Sequence, residues 1–454
     1  MKLVLIGAGS AQFGLGTMGD MFRSRLLRGA EICLMDINGE SLERVRKIGQ
    51  DFIDGKGLDF TLTATTDRAE ALDGADHVII SIEVGDRFEL WDQDWNYPLQ
   101  YGFNQIYGEN GGAGGLFHSL RIIPPILDIC SDVMRLAPAA TVFCYSNPMT
   151  SITTAVLRKF PELKFVGMCH EIASLHRYLP GILGTDFENL RLRAGGLNHF
   201  SVLISAEYAD TGADAYPDIL EKAPGFFEKA LGYSDIWEYA RRTGHAPETE
   251  GSTHQPILDH SEPSRPWSDR KLFREILKRY RLLPITVDSH IGEYIPWARD
   301  TADHQGIRDF YEFYRRALST AERMVIDDSV TRERVVPIIE AMVSDEAMEE
   351  MAVNIMNNGL IPGLPDDVAV EVPATVSGRG IEGIGFDTYP RGFAALLRNY
   401  TGTYDLIAEA AIHGSRELAA QALLAIPSTD RIRDLDALID HMVQAQRPWL
   451  DYLK

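Results

Sequence analysis

Cysteine and positive charge are both scarce in this chain. Four cysteines occur among 454 residues, and they mostly lie in apolar strand-like or helical stretches. Scattered thiols of this kind do not build a disulfide framework, so we expect a reduced, cytoplasmic protein. The 66 acidic residues outnumber the 44 basic ones and give a formal net charge of -22. This balance disfavours binding to a nucleic-acid backbone or to an anionic membrane surface.

Long apolar runs and several common catalytic motifs are also lacking. No run of about 18 apolar residues predicts a transmembrane helix. Residues 1–6 lead directly into a glycine turn, which is unlike a signal peptide. There is no nucleophile elbow of the form G-x-S-x-G, no Walker sequence and no kinase loop. The length of the chain favours two domains.

The N-terminus carries the pattern of a dinucleotide-binding fold. Lys2–Ile6 reads as a buried strand, the turn Gly7-Ala8-Gly9-Ser10 follows it, and the next strand, Glu31–Met35, ends in Asp36. In such folds the glycines let the backbone approach a pyrophosphate, and the acid hydrogen-bonds the ribose. Asp36 favours NAD over NADP, because a carboxylate repels a ribose phosphate. The alternative is a plain βαβ unit whose glycines only make a tight turn.

Strands and helices continue to alternate through the first 195 residues. Further strands are predicted at 60–64, 77–82, 141–145 and 165–168. Six parallel strands with intervening helices predict an α/β fold with a Rossmann-like, doubly wound sheet. Glu83 follows the fourth strand at the edge expected for the cofactor. Asn147 follows the fifth strand and precedes a proline, which holds it out of the helical region.

The regular alternation fades after about residue 195. We therefore predict an NAD-binding Rossmann-like domain at 1–195 and a C-terminal mixed α+β domain at 196–454, for substrate, metal and oligomer contacts. A glycine-rich loop at 107–115 precedes a long helix at 116–136, which favours close passage of the backbone past a ligand. An alanine-rich helix is predicted at 405–424.

A cysteine, a histidine and a glutamate follow the sixth strand directly. Cys169, His170 and Glu171 would lie at the carboxyl end of that strand, where ligands collect in open α/β sheets. Cys169 and His199 are candidate metal ligands, because a thiolate and an imidazole commonly bind the same ion. That chemistry alone suggests zinc. The alternative is a buried cysteine and a core histidine with its hydrogen bonds satisfied.

The order of these motifs resembles family 4 of the glycoside hydrolases. The likeness continues through 290–297, 370–373 and 422–427, and so covers nearly the whole chain. It rests on the following runs, in this order: Gly7-Ala8-Gly9-Ser10, Asp36, Leu116-Phe117-His118-Ser119-Leu120-Arg121, Ser146-Asn147-Pro148, Cys169-His170-Glu171 and Gly196-Leu197-Asn198-His199. This NAD-dependent family is an exception to the two-carboxylate mechanism of glycosidases.

The resemblance implies a bound NAD and a divalent metal, usually manganese, held by Cys169 and His199. Manganese then replaces zinc as the expected ion. The implied reaction is a redox-assisted elimination in which hydride leaves C3 of the sugar, a base removes the C2 proton, and the aglycone departs from C1. Water then adds, and hydride returns to C3. The family also implies a homodimer or homotetramer.

Residue roles follow from the same resemblance. His170 is the expected acid for the leaving group, and Asp288 is the expected base, with Tyr294 as second choice and His290 as an orienting residue. The alternative for Asp288 is a helix N-cap. The predicted substrate-binding residues are Asn147, Glu109, Asn198 and His290. The predicted cofactor-binding residues are Gly7, Gly9, Ser10, Asp36 and Glu83.

The residues after Cys169 bear on the substrate. Family members that act on 6-phosphosugars usually carry Asp or Asn directly after the cysteine and then a proline, whereas this chain has His170-Glu171-Ile172. This looks like the branch that cleaves unphosphorylated α-glycosides, with an α-glucoside favoured over an α-galactoside or an anionic hexoside such as a uronide. Two alternatives stay open: an NAD-dependent sugar or 2-hydroxy acid dehydrogenase with net NADH release, and a non-catalytic NAD-sensing regulator.

Overall fold

The computed structural model describes residues 1–9, 11–169, 171–229, 271–319 and 333–454, and positions 234, 238, 241, 242, 248, 249, 256, 257 and 326. The described strands are β1 Lys2–Ile6, β2 Glu31–Met35, β3 Thr61–Thr65, β4 His77–Ile80, β5 Thr141–Cys144, β6 Lys164–Gly167, β7 Leu190–Leu197, β8 Phe200–Tyr208, β9 Glu248–Thr249, β10 Pro256–Ile257, β11 Leu283–Pro284, β12 Met348–Met356, β13 Ala369–Ser377 and β14 Gly380–Gly383.

Helices cover both faces of the sheet that most of these strands form. The described α-helices are α1 Ala11–Arg23, α2 Gly39–Lys56, α3 Arg68–Leu72, α4 Arg87–Gln100, α5 Gly112–Leu136, α6 Met149–Lys159, α7 Leu179–Leu183, α8 Tyr216–Lys229, α9 Lys271–Tyr280, α10 Asp288–Ile291, α11 His304–Ser319, α12 Val335–Ser344, α13 Arg391–His413, α14 Arg416–Ala425, α15 Leu435–Ala445 and α16 Arg447–Leu450. Within the described part of the chain, no helix has the length and apolarity needed to cross a membrane.

The first six strands form the predicted parallel sheet. Their order is β3-β2-β1-β4-β5-β6, and every neighbouring pair in this half is parallel. Successive residues of β1 enter opposite layers of the core: Val4 and Ile6 join one hydrophobic cluster, and Leu3 and Leu5 join the other. Burial on both faces explains why this strand reads as an uninterrupted apolar run. The predicted Rossmann-like fold class is confirmed.

The C-terminal half extends the same sheet with antiparallel strands. The order continues from β6 as β12-β13-β7-β8-β11, with β14 beside β13. Gly167 of β6 pairs with Asn354 of β12, Asn354 pairs with Glu371 of β13, and Glu371 pairs with Gly196 of β7. This row, which we call the joining row, connects the parallel half to the antiparallel half. The predicted division after residue 195 falls within β7 and stays a prediction.

Two predicted helices differ from the structure at their ends. The helix predicted at 116–136 begins four residues earlier, at Gly112, because the glycine-rich loop is already helical there. The helix predicted at 405–424 is two helices, α13 and α14. Gly414 has a left-handed φ of 64° and ends α13, and Ser415 then caps α14 by accepting the amide of Leu418 at 3.2 Å. A helix stop at glycine followed by a serine cap was legible in the sequence.

Candidate active site

Cys169, Glu171 and His199 form a compact group at the carboxyl end of β6. Cys169 Sγ lies 3.6 Å from His199 Nε2, and Glu171 Oε1 lies 3.7 Å from the same nitrogen. The three potential ligand atoms all lie within 4.8 Å of one another. One sulfur, one nitrogen and one carboxylate oxygen at this spacing can bind a divalent cation together.

His199 reaches this group from a tight hairpin turn. It is the second residue of the two-residue connection between β7 and β8, and its φ is 62°. Left-handed backbone is uncommon for a residue other than glycine, and such conformations concentrate at functional sites. The hairpin therefore directs an imidazole at a cysteine that follows a different strand.

His290 connects the group to a second carboxylate. Its ring stacks on His199 with centroids 4.4 Å apart, Nδ1 lies 2.6 Å from Glu171 Oε1, and Nε2 lies 3.1 Å from Glu109 Oε2. Burial lowers the pKa of His290, but the two carboxylates more than offset this and raise that pKa well above its usual range. His290 is therefore a cation between two anions.

The charged chain continues from Glu109 toward the predicted cofactor edge. Arg87 Nη2 donates to Glu109 Oε1 at 3.0 Å, and its Nε lies 3.8 Å from Glu83 Oε1. His118 Nε2 lies 3.5 Å from the other oxygen of Glu83. Burial raises the pKa of Glu109, yet the hydrogen bond and charge of His290 and the charge of Arg87 lower it to about 2. Charges of alternating sign thus link Glu83, at the cofactor edge, to Glu171.

The glycine-rich loop is held mainly by other parts of the protein. The amide of Gly112 donates to the Tyr400 hydroxyl and that of Gly114 to the side-chain oxygen of Gln105, each at 2.8 Å. A Cβ on Gly114 would lie 2.4 Å from the carbonyl oxygen of Gly108. A glycine at position 114 is therefore required by packing within the loop, and two of the amides at the start of α5 are already used.

Glu293 accepts hydrogen bonds from the backbone of the same loop. Its carboxylate accepts the amide of Glu109 at 2.7 Å and that of Asn110 at 3.1 Å, and only 4% of the residue is exposed. Burial raises the pKa of Glu293 to about 8, although His290 and the two amides lower it. Sequence reasoning assigned Glu293 no role.

The two candidate bases lie in different surroundings. Asp288 is buried at the start of α10, and its oxygens accept the amides of Leu272 and Phe273 at 3.0 and 3.1 Å, which places it at the N-terminus of α9. Burial raises its pKa to about 7. Tyr294 is buried in the core, where its ring stacks on Phe200 at 4.9 Å and its hydroxyl accepts from Tyr404 at 3.3 Å. The base role of either residue stays a prediction.

Two asparagines that follow β5 and β7 carry buried side-chain acceptors. Asn147 follows β5 and precedes Pro148 through a cis peptide bond. The Ser146 hydroxyl both donates to and accepts from the backbone of Ile82 at 2.9 Å, which fixes the end of β5 to the segment that leads into Glu83. The side-chain oxygens of Asn147 and Asn198 are buried without a hydrogen-bond partner among the described residues.

The predicted cofactor residues lie at the end of β1. Gly7 has a φ of 89°, and a Cβ there would lie 2.0 Å from the Ser81 carbonyl oxygen. The amide of Gly9 donates to Asp36 Oδ2 at 2.8 Å. The glycine turn and the acid thus lie together, as the sequence pattern indicated. Ser10 and His170, predicted to contact the cofactor and the leaving group, lie outside the described residues.

Two family models match the chain. The model for "Family 4 glycosyl hydrolase" matches residues 2–185, and that for the "Family 4 glycosyl hydrolase C-terminal domain" matches residues 194–429. An alpha-glucosidase of Erwinia rhapontici is 56% identical over 453 residues, which cover 100% of this chain and 99% of that protein. This chain belongs to family 4 of the glycosyl hydrolases. The family assigned from the motif order is confirmed, and the chain is a glycosidase.

More distant relatives match over the full length of the chain. An alpha-galactosidase of Bacillus subtilis (strain 168) is 28% identical over the full length of both chains. The solved structure of a 6-phospho-alpha-glucosidase from gut microorganisms, in complex with NAD and Mn2+, superposes with a TM-score of 0.79 over 100% of this chain and 99% of that chain. Because the identity is only 18%, this likeness supports the fold and nothing more.

Several residues in or near the candidate site were missed or left without a role by sequence reasoning. Glu171 was noticed beside Cys169 but was not selected as a ligand. Arg87 follows the fourth strand in a polar stretch that gave no distinctive signal. Glu371 carried a usable signal, because a carboxylate within the apolar run 368–376 must find a buried partner.

Replacement of Glu293 by Gln tests the buried carboxyl group through pH. Between pH values of about 4.3 and 8 the folded wild type keeps this proton while the unfolded chain loses it, so the wild type should lose stability as pH rises through this range. Gln accepts the same amides and does not titrate. Thermal melting of both proteins should show the melting temperature of Glu293→Gln rising relative to wild type as pH increases.

The control for this comparison is Glu293→Ala. It removes the acceptor for the loop amides and should melt below Glu293→Gln at every pH. A difference between wild type and Glu293→Gln that stays constant with pH would show that Glu293 does not retain its proton in the folded protein.

Proposed function

We propose that this glycosidase hydrolyses a neutral α-glucoside with the help of NAD and a divalent cation. The observation that carries the proposal is the group of Cys169, Glu171 and His199 at the same sheet edge as the Gly7–Gly9 turn. The alpha-glucosidase of Erwinia rhapontici, 56% identical over the whole chain, supports the choice of sugar. The expected cytoplasmic location and the expected homodimer or homotetramer stay predictions.

The residues present fit a divalent cation. Burial raises the pKa of the Cys169 thiol, so the metal-free site favours the protonated thiol, and a bound cation would displace that proton. Glu171 contributes a hard carboxylate oxygen, and His290 holds that carboxylate in place through its contact with Oε1 at 2.6 Å. A set of sulfur, nitrogen and carboxylate oxygen suits manganese better than the thiolate and imidazole considered alone.

The residues at the end of β1 fit a dinucleotide. The tight turn at Gly7 leaves no room for a side chain, and the carboxylate of Asp36 lies at the end of β2, where the ribose is held in this fold. Glu83 follows β4, which lies between β1 and β6 in the sheet. We propose Gly7, Gly9, Ser10, Asp36 and Glu83 as the cofactor-binding residues.

When bound, the two groups would supply reversible hydride transfer at sugar C3 and stabilisation of the negative charge that follows. The chain's own contribution is to place the sugar and move protons. We propose that Asp288 removes the C2 proton and that Tyr294 is the second candidate. His170 would donate a proton to the departing oxygen at C1. The buried acceptors of Asn147 and Asn198 would receive hydroxyl groups of the sugar.

The charges around the site favour a neutral sugar. Among the described residues of the charged chain, both cations face carboxylates: His290 lies between Glu171 and Glu109, and Arg87 lies between Glu109 and Glu83. The face of Arg87 is covered by Trp91 and Tyr314, with ring centroids 5.6 and 5.5 Å from the guanidinium carbon. A phosphosugar or a uronide would enter a site with a carboxylate excess. This supports an α-glucoside, then an α-galactoside, ahead of an anionic hexoside.

Hydrolysis of p-nitrophenyl glycosides tests the proposal directly. The α-glucoside, α-galactoside and α-glucuronide are compared under reducing conditions, with NAD and Mn2+ each present or omitted. We expect nitrophenol release to need both additions, to be fastest for the α-glucoside, and to occur without accumulation of NADH. Cys169→Ser, which replaces the proposed sulfur ligand, should lower the response to Mn2+. Accumulation of NADH without release of nitrophenol would instead indicate a dehydrogenase.

Replacement of Asp288 by Asn separates a base from a helix cap. If Asp288 is the base, kcat should fall by roughly 100- to 10,000-fold while the melting temperature changes little, because the amide oxygen still accepts a helix amide. The control is Asp67→Asn, since Asp67 caps α3 through the amides of Ala69 and Glu70, away from the site. A kcat near wild type, with a melting temperature as little changed as that of the control, would assign Asp288 to capping alone.

A further inference from the structure

Glu371 is a buried carboxylate with no part in the reaction described so far. It lies in the middle of β13, and only 2% of the residue is exposed. Its backbone belongs to the joining row, between Asn354 of β12 and Gly196 of β7. A carboxylate at such a position is costly unless hydrogen bonds satisfy its oxygens.

The hydrogen bonds of Glu371 come from β12 and from the turn that follows β7. Asn198 Nδ2 donates to Glu371 Oε2 at 2.7 Å, and Asn354 Nδ2 donates to the same oxygen at 3.4 Å. Asn354 also donates to the carbonyl oxygen of Gly167 at 3.4 Å, at the end of the strand that leads to Cys169. One carboxylate therefore ties together the two strand ends from which the proposed metal ligands follow.

Asn198 is the residue through which this carboxylate reaches the ligands. It directly precedes His199, whose Nε2 lies 3.6 Å from Cys169 Sγ, and its backbone N–H donates to Thr150 Oγ1 at 3.0 Å. Glu371 Oε2 accepts hydrogen bonds from both asparagine side chains, so the Asn198 amide group turns its Nδ2 toward Glu371. The side-chain oxygen of Asn198 then points away from Glu371. It is buried and has no hydrogen-bond partner among the described residues.

We propose that Glu371 is a positioning residue of the metal site, which fixes the side chain of Asn198 and through it the relative placement of Cys169 and His199. Partners of this kind orient the groups that bind a metal and strongly affect its affinity. The inference rests on the proposed divalent-cation site. It predicts that changing Glu371 weakens metal binding even though Glu371 does not contact the metal.

The test is a double-mutant cycle of Glu371→Gln and Asn198→Ala. Glutamine keeps the size of the side chain, but its amide can donate as well as accept, so the orientation of Asn198 is no longer imposed. Titration calorimetry of the metal-free proteins with Mn2+ should show affinity about tenfold weaker in Glu371→Gln. In the Asn198→Ala background the same change should have little further effect, because the connecting side chain is absent.

A second readout does not depend on metal binding. The rate at which iodoacetamide modifies Cys169 in the metal-free protein is followed by mass spectrometry of the Cys169 peptide. Glu371→Gln should change this rate in the wild-type background and leave it unchanged in Asn198→Ala. A wild type that binds no Mn2+ would refute the proposed function, and this second cycle would still decide whether Glu371 acts through Asn198.

The matched control is Glu350→Gln. Glu350 is also a buried carboxylate of the same sheet, but it lies on β12 and pairs with Arg334 at 2.7 Å. The Glu350→Gln variant should bind Mn2+ with wild-type affinity, and iodoacetamide should modify its Cys169 at the wild-type rate. Wild-type Mn2+ affinity and a wild-type rate of Cys169 modification in a folded Glu371→Gln protein would overturn the proposal. So would equal effects of Glu371→Gln in the wild-type and Asn198→Ala backgrounds, because these would indicate that the charge of Glu371 acts directly.

Discussion

The distance between Cys169 and His199 depends on one row of pairing across four strands. Cys169 follows a parallel strand, and His199 lies in an antiparallel hairpin that begins more than twenty residues later in the chain. These two parts meet through the joining row of Gly167, Asn354, Glu371 and Gly196. Because side chains alternate along strands, a slip of one residue anywhere in this row would turn a ligand away from its partner.

The buried charges near this row lower the stability of the fold. Glu109, Glu171, His290 and Arg87 are held in or near the interior, where each ion costs several kcal/mol to desolvate. The alternation of sign offsets part of this desolvation free energy, because each cation of the charged chain lies beside carboxylates. A core designed only for stability would use apolar residues here. The arrangement is explained if these groups hold a metal ligand and exclude an anionic substrate.

Much of the fold and part of the site could be predicted from the sequence. Most of the parallel strands were legible because they are apolar runs bounded by turn residues, and Cys169 and His199 followed from motif order. The continuation of the sheet through β12 and β13 was not legible, because pairing such as Asn354 with Glu371 depends on contacts between distant segments. The contacts of Asp288 with α9 and of Gly114 within its loop likewise depend on the folded structure. Local sequence patterns do not predict them.

Solvent deuterium in the product tests the central claim most directly. If a base in this site removes the C2 proton during each turnover, hydrolysis of p-nitrophenyl α-glucoside in D2O should give glucose that carries deuterium at C2, as read by NMR. Glucose incubated with enzyme, NAD and Mn2+ in D2O for the same time measures any exchange that occurs after release. Nitrophenol release with hydrogen fully retained at C2 would contradict the account and indicate direct displacement at C1 by the two-carboxylate route.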